Sequence, residues 1–288
     1  MIQPQMGGRT CLITGATSGI GKAAAIGIAK LGANTAIVSR DRKRGEAALE
    51  DIRKQSGNDS VHLLVGDLSS QESVRKFAEE FRQNFKSLHV LVNDAGVLLT
   101  KHSKTADGIE TTFAVNYLSV FLLTNLLLDM LKSSAPSRIV NVSSATESGG
   151  KINFDDLNGE RKFKGLGAYT QSKLALTMFT YELSRRLEGT GVSVNALHPG
   201  AIRTNLGHGN RGLLGIGFSF VKLFFSSPEK GARTVVYLAS SPEAEGISGK
   251  YFSNCSVARS SELSRDEESQ KRLWQVSARL TGMEMLAR

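Results

Sequence analysis

The chain has 288 residues, 40% of them hydrophobic and 22% charged, as expected of a soluble globular protein with a sizeable core. Its 36 Lys and Arg against 27 Asp and Glu leave a formal charge of +9, so anionic partners are favoured over cationic ones. The basic residues are scattered, with no aromatic platform or docking motif among them, so nucleic acid is not an expected partner.

Cys11 and Cys255 are too few for a disulfide framework and suit a reducing compartment. Met1–Gly8 has neither an apolar core nor a basic leader, and no run approaches the ~20 apolar residues that span a bilayer. A cytoplasmic chain without a transmembrane segment is expected.

Apolar runs alternate with longer amphipathic segments throughout. Thr10–Thr14 reads as a strand, followed by the glycine-rich turn Gly15-Ala16-Thr17-Ser18-Gly19-Ile20-Gly21 and a helix over Lys22–Leu31 that Gly32 stops. Glycines there let backbone N–H groups at a helix N-terminus approach a phosphate, although the spacing Gly-x-x-x-Gly-x-Gly differs from the generic dinucleotide fingerprint. Strands follow at Thr35–Ser39, Val61–Val65 and Leu88–Val92, with helices over Arg42–Gln55 and from a cap at Asp67-Leu68-Ser69-Ser70 to Phe85. Asp107 opens a long predicted helix through Leu131. Then come a strand at Arg138–Val142, a helix over Gly165–Leu187, a strand at Val192–Leu197, a helix over Pro228–Ala239 and a last strand at Gly249–Phe252. This alternation predicts an α/β fold, a doubly wound parallel sheet with helices on both faces, without a linker to divide it.

Two stretches break the rhythm, Glu147–Leu166 and Ala201–Ser227. Both follow strands at the edge where such sheets bind ligands. The apolar 213–225 segment inside the second reads as a lid over a lipophilic substrate, with core packing or an interfacial membrane contact as alternatives. The C-terminal extension, about 257–288, contains a helical pattern over Asp266–Leu280 that would lie over the substrate side.

Tyr169 and Lys173 are four apart on a predicted helix, so phenol and ammonium share a face. A cation beside a phenol favours the phenolate and suits it to general acid/base work at a carbonyl or alcohol oxygen. Ser143-Ser144 ends the fifth strand, where a hydroxyl could orient a substrate oxygen or simply close a turn. Asn116 lies inside a helix, where it would satisfy a kink or a water, or serve as a polar core residue.

Together, Thr14–Gly21, Asn93-Asp94-Ala95-Gly96, Asn116, Ser144, Tyr169/Lys173 and Pro199-Gly200 resemble the short-chain dehydrogenase/reductase family. Asp155-Asp156-Leu157, the long Ser144-to-Tyr169 gap, His198-Pro199-Gly200 and Ser248–Phe252 resemble its retinol dehydrogenase-like branch. The resemblance implies one Rossmann-type domain over residues 1–288 with about seven strands. It implies Tyr169 as proton donor or acceptor and Lys173 as the group that lowers its pKa and binds the nicotinamide ribose. Ser144 would hydrogen-bond the reacting oxygen, and Asn116 would hold a water leading from Lys173 to solvent. The pyrophosphate turn would use Gly15, Thr17, Ser18, Gly19, Ile20 and Gly21. The adenine side would use Asp67, Leu68, Asn93, Ala95 and Gly96, and the nicotinamide side Pro199, Gly200, Ile202 and Thr204. Asp94 stands where the family usually carries a second Asn, and is expected mainly to support the sheet. Family members commonly form homodimers through the helices around Phe113–Leu131 and Gly165–Leu187.

An NAD enzyme of this architecture places an acidic residue at the tip of the second strand. Here the tip is Ser39-Arg40, with Arg44 close behind, which leaves room and donors for a 2′-phosphate. The expected activity is therefore NADP(H)-dependent hydride transfer to or from a carbonyl or alcohol of a lipophilic substrate, with no metal. The alternatives are reduction of a carbon–carbon double bond, and a non-catalytic NADP-binding sensor or interaction protein on the same fold.

Overall fold

The computed structural model describes residues 5–200 and 227–283. The elements run β1 (Thr10–Thr14), α1 (Gly19–Lys30), β2 (Asn34–Ser39), α2 (Arg42–Ser56), β3 (Val61–Val65), α3 (Gln71–Asn84) and β4 (Val90–Asn93). There follow α4 (Thr111–Phe113), a π-helical turn (Ala114–Leu118), α5 (Ser119–Leu126), α6 (Leu128–Ser133), β5 (Ser137–Val142) and a 3-10 turn (Ala145–Gly149). The chain continues through α7 (Gly165–Arg186), β6 (Val192–Leu197), α8 (Pro228–Ser240), β7 (Lys250–Ser253), β8 (Ser256–Ala258) and α9 (Glu267–Leu280).

These strands form one sheet in the order β3-β2-β1-β4-β5-β6-β7-β8. Strands buried on both faces send alternate side chains into two cores. Leu12, Leu91, Ile139 and Val194 face α3, α5, α7 and α9. Ile13, Val92 and Val140 face α1, α2 and α8. The chain reverses direction in the strand order between β3 and β4, so the carboxyl ends of β1 and β4 open a crevice at that switch point.

The predicted seven parallel strands are present, and β8 is an antiparallel addition to them. It turns back through Asn254 and Cys255, both with positive φ (48° and 61°). That is the handedness of a two-residue hairpin turn, made here without the glycine that would have signalled it. The long helix expected over Asp107–Leu131 starts later and is broken. Asp107 accepts the Gln71 N–H of α3 (3.0 Å), and Glu110 caps the helix instead, taking the N–H groups of Thr112 (2.9 Å) and Phe113 (2.7 Å). Leu127 leaves helical geometry between α5 and α6.

The C-terminal helix forms over the predicted residues, capped by Asp266. It packs on α7 and α5. Trp274 stacks on Phe179 with centroids 5.8 Å apart and meets Phe121 edge-on at 5.0 Å, and Tyr117 bonds Ser277 at 2.6 Å. Part of the helical face expected to serve a homodimer is thus covered by this chain's own α9. Among the described residues no helix is long and apolar enough to cross a membrane.

Candidate active site

The site grows from the ends of β1, β4 and β5, whose register aligns Thr14 with Asn93 and Asn93 with Asn141. At the end of β1, Gly15 has φ +75° and no room for a side chain: a Cβ there would lie 2.7 Å from Ala95 N. A Cβ on Gly21 would lie 2.5 Å from Asp94 Oδ2 and 2.6 Å from Gly15 O. The turn is therefore closed against the β4 loop by bare backbone. Ser18 occupies the cap position of α1 without a side-chain cap bond, so Thr17, Ser18, Gly19 and Ile20 leave backbone donors at the helix's positive end. The next two helices are capped by side chains: Asp41 accepts Arg44 N on α2 (2.7 Å), and Ser70 accepts Ser73 N on α3 (3.2 Å).

The residues expected on the adenine side have their side chains largely committed to other partners. Asp67 Oδ1 takes Ser69 N (2.9 Å) and Ser69 Oγ (2.8 Å), closing a turn, and Leu68 packs on the core. Asn93 donates to Asn141 Oδ1 (2.9 Å), while its own Oδ1 is buried without a partner. A buried unpaired acceptor costs stability unless something binds it. This orphan and the side-chain-free turn are the features that fit a dinucleotide. Ala95 N bonds Thr14 Oγ1 (3.3 Å). At the tip of β2 the Ser39 hydroxyl donates to Asp41 O (2.8 Å), and Arg40 and Arg44 are exposed.

On α7, Tyr169 and Lys173 are both buried and share a face, with Nζ 5.8 Å from the phenol centroid. Lys173 Nζ donates to Val142 O (2.7 Å) at the end of β5. The Ser144 hydroxyl lies close enough to the Tyr169 phenol to oppose the rise that burial imposes on it. The two serines divide the work. Ser143 is buried, its hydroxyl donating to Lys173 O (3.1 Å) and paired with Thr177 Oγ1 (2.9 Å), whereas Ser144 faces the crevice and caps the 3-10 turn. Tyr251 on β7 donates to Ser144 O (3.2 Å), a support that sequence spacing does not reveal.

Asn116 sits in the π-helical turn, fulfilling the kink reading. Its Oδ1 accepts Val97 N (2.7 Å), and its Nδ2 donates to Val97 O (2.9 Å) and Ser172 Oγ (3.0 Å). The amide therefore ties the π turn to the segment after β4 and to α7. A Cβ on Gly96 would meet Asn116 Oδ1 at 3.5 Å and Lys173 Nζ at 3.6 Å, ordinary contact distances, so both side chains come to this stretch of backbone.

Electrostatics sharpen the cluster. Burial raises Tyr169 above its ordinary value, opposed by the bond from Ser144, and burial lowers Lys173 to about 8. Asp94, the first residue past β4, places its Oδ2 against the Gly21 backbone at the start of α1. Pro199 and Gly200 follow β6 at the same edge, with Gly200 at φ +83° and its N–H on His198 Nδ1 (3.2 Å). Ile202, Thr204 and the 213–225 lid lie outside the described residues.

The model of the short chain dehydrogenase family matches residues 9–213. Human retinol dehydrogenase 13 is 46% identical over 284 residues, covering 96% of this chain and 86% of that one. Human retinol dehydrogenase 14 is 47% identical over 294 residues, covering 96% and 88%. Among solved structures, an uncharacterised protein from Mycobacterium paratuberculosis superposes with a TM-score of 0.79 at 32% identity, over 97% of this chain and 95% of that one. Pseudomonas aeruginosa RhlG in complex with NADP superposes at 0.69 with 26% identity, over 86% and 95%. The chain belongs to the short-chain dehydrogenase/reductase family of oxidoreductases and is retinol dehydrogenase-like within it.

Proposed function

We propose that the protein is an NADP(H)-dependent oxidoreductase that interconverts a carbonyl and an alcohol on a lipophilic, retinoid-sized substrate, with Tyr169 as general acid/base. The observation that carries this reading is the meeting of Ser144, Tyr169 and Lys173 beside the glycine turn. When bound, the nicotinamide supplies or takes the hydride at C4. Tyr169 gives its proton to the carbonyl oxygen in reduction and takes it from the alcohol in oxidation. Ser144 holds that same oxygen, and Tyr251 steadies Ser144 through its carbonyl. Lys173, with little water around its ammonium, favours the phenolate that would otherwise be too costly to bury. Asn116 keeps the π turn against α7, and so fixes the side of the site where the Lys173 proton would leave.

The 2′-phosphate reading rests on β2. Asp41 is engaged by the start of α2, so the nearest acid is turned to capping, while Arg40 and Arg44 are free to meet a phosphate. The NADP-bound Pseudomonas relative supports a nicotinamide cofactor of this kind. The relatives named as retinol dehydrogenases support a long apolar substrate. The proposal places the protein in the cytoplasm, and a second copy would meet α9 rather than bare α5 and α7. The test is a panel of retinaldehyde, long-chain aldehydes and ketones assayed with NADPH and NADH. NADPH-dependent reduction of the apolar members is expected; activity confined to small polar carbonyls, or to NADH, would overturn the reading.

A further inference from the structure

The Gly21 N–H belongs to the first turn of α1, in the group of backbone donors that faces a bound pyrophosphate. The Asp94 carboxyl lies against the Gly21 backbone, near enough for that N–H to favour its ionised form. Asp94 Oδ2 sits where a Gly21 Cβ would come within 2.5 Å of it, directly behind the turn closed by Gly15. The side chain reaches there because β4 and β1 are paired in register up to Asn93 and Thr14, which leaves Asp94 as the first residue past the sheet.

We propose that Asp94 couples dinucleotide affinity to pH: its carboxyl group occupies the positive end of α1 behind the phosphate turn, and its ionised form opposes a pyrophosphate held on the other side. The inference rests on the dinucleotide reading of the turn. An ionised carboxylate satisfies the helix end and repels a second anion brought to the same donors. A neutral carboxyl leaves the helix's positive field to the cofactor. The charged and titratable groups facing Asp94 are Lys173 and Tyr169, both on α7. From α1 it meets the Gly21 N–H, and the next residue, Lys22, is turned away into an ion pair with Asp51. Burial pushes the Asp94 carboxyl up to about 7, against the pull of the Lys173 ammonium. The exchange between its two forms therefore falls inside the physiological range.

The same placement fixes a stability signature of the cofactor-free protein. A carboxyl raised in the folded state binds its proton more tightly there than in the unfolded chain. Folding is favoured by that proton in full below about pH 4, where the unfolded chain also holds it, and the benefit is lost progressively as pH rises to about 7. An asparagine keeps the neutral form at every pH.

The test compares the wild type with Asp94→Asn and Asp94→Ala. Dissociation constants for NADPH and NADH are measured by fluorescence titration from pH 5.5 to 8.5 at fixed ionic strength. NADH lacks the 2′-phosphate, whose own titration near pH 6 would otherwise overlap. The wild type is expected to lose about tenfold in affinity for both cofactors across this range beyond any loss in the variants, a difference of about 1.4 kcal/mol. Melting temperatures of the cofactor-free wild type and Asp94→Asn should differ least below about pH 4, separate as pH rises to about 7 and stay apart above it, with Asp94→Asn the more stable. Equal pH slopes in all three proteins would overturn the inference and leave the dinucleotide reading standing. Failure of the wild type to bind either cofactor at any pH would remove that reading and the inference with it.

Discussion

The two halves of the site are built from different materials. On β1 and α1 the proposed cofactor side is made of backbone and missing side chains: Gly15 and Gly21 are pressed against the β4 loop with no space for a methyl group. On β5 and α7 the proposed proton-transfer side is made of buried polar side chains, Lys173 and Tyr169, that only a specific surrounding makes useful. The first half fails when something is added, the second when something is removed. Function is therefore expected to divide in the same way, with binding lost through one half and turnover through the other.

Removing the cation gives the largest effect. Lys173→Met should lower kcat by on the order of 10²–10⁴-fold, because Tyr169 then stays a buried phenol, while dinucleotide binding is only weakened. A steady-state assay beside a fluorescence titration checks this, and equal losses in both would erase the distinction between the halves. Adding a methyl group to the other half should do the reverse. Gly21→Ala places carbon against Gly15 O and Asp94, and should cost about 1–3 kcal/mol of stability together with most cofactor affinity; unfolding in urea and the same titration read it. A smaller effect is expected at the β2 tip, where Arg40→Asp should shift the NADPH-to-NADH preference by roughly 10–100-fold, the value of one to two charge-assisted bonds. An unchanged ratio would take Arg40 out of the site. The smallest test sets two neighbours against each other. Ser144→Ala should reduce kcat with melting nearly unchanged. Ser143→Ala should instead lower stability by about 1 kcal/mol through its lost bonds to Lys173 O and Thr177, with kcat reduced less. Calorimetry with the same assay separates the pair.

The two halves also differed in how far the sequence disclosed them. Glycine spacing, strand periodicity and the Tyr169-Lys173 interval are local signals, and they placed β1, α1 and α7, with Tyr169 and Lys173 on one face, as the structure has them. Long-range partners leave no such trace. That Asn116 binds Val97 and Ser172, or that Tyr251 supports Ser144 across the sheet, depends on register and on a π turn that residue spacing does not encode. Asp94 shows the limit most sharply. By position it belongs with the sheet, yet its carboxylate turns toward α1 because the chain has just left β4. The helix over Asp107–Leu131 was misjudged for a related reason: Asp107 found a partner on α3, and Glu110 took the capping role. The C-terminal helix was legible from its cap and periodicity, but not its resting place, which the stacking of Trp274 on Phe179 decides.

The account turns on Tyr169 moving a proton in a site whose cofactor half is independent of it. Tyr169→Phe keeps the ring and its packing and deletes only the hydroxyl. Single-turnover oxidation of NADPH by a lipophilic aldehyde, measured with the variant's NADPH dissociation constant, should show turnover reduced at least a hundredfold and affinity within a few-fold of wild type. Turnover retained within a few-fold, with the cofactor bound normally, would contradict the central claim.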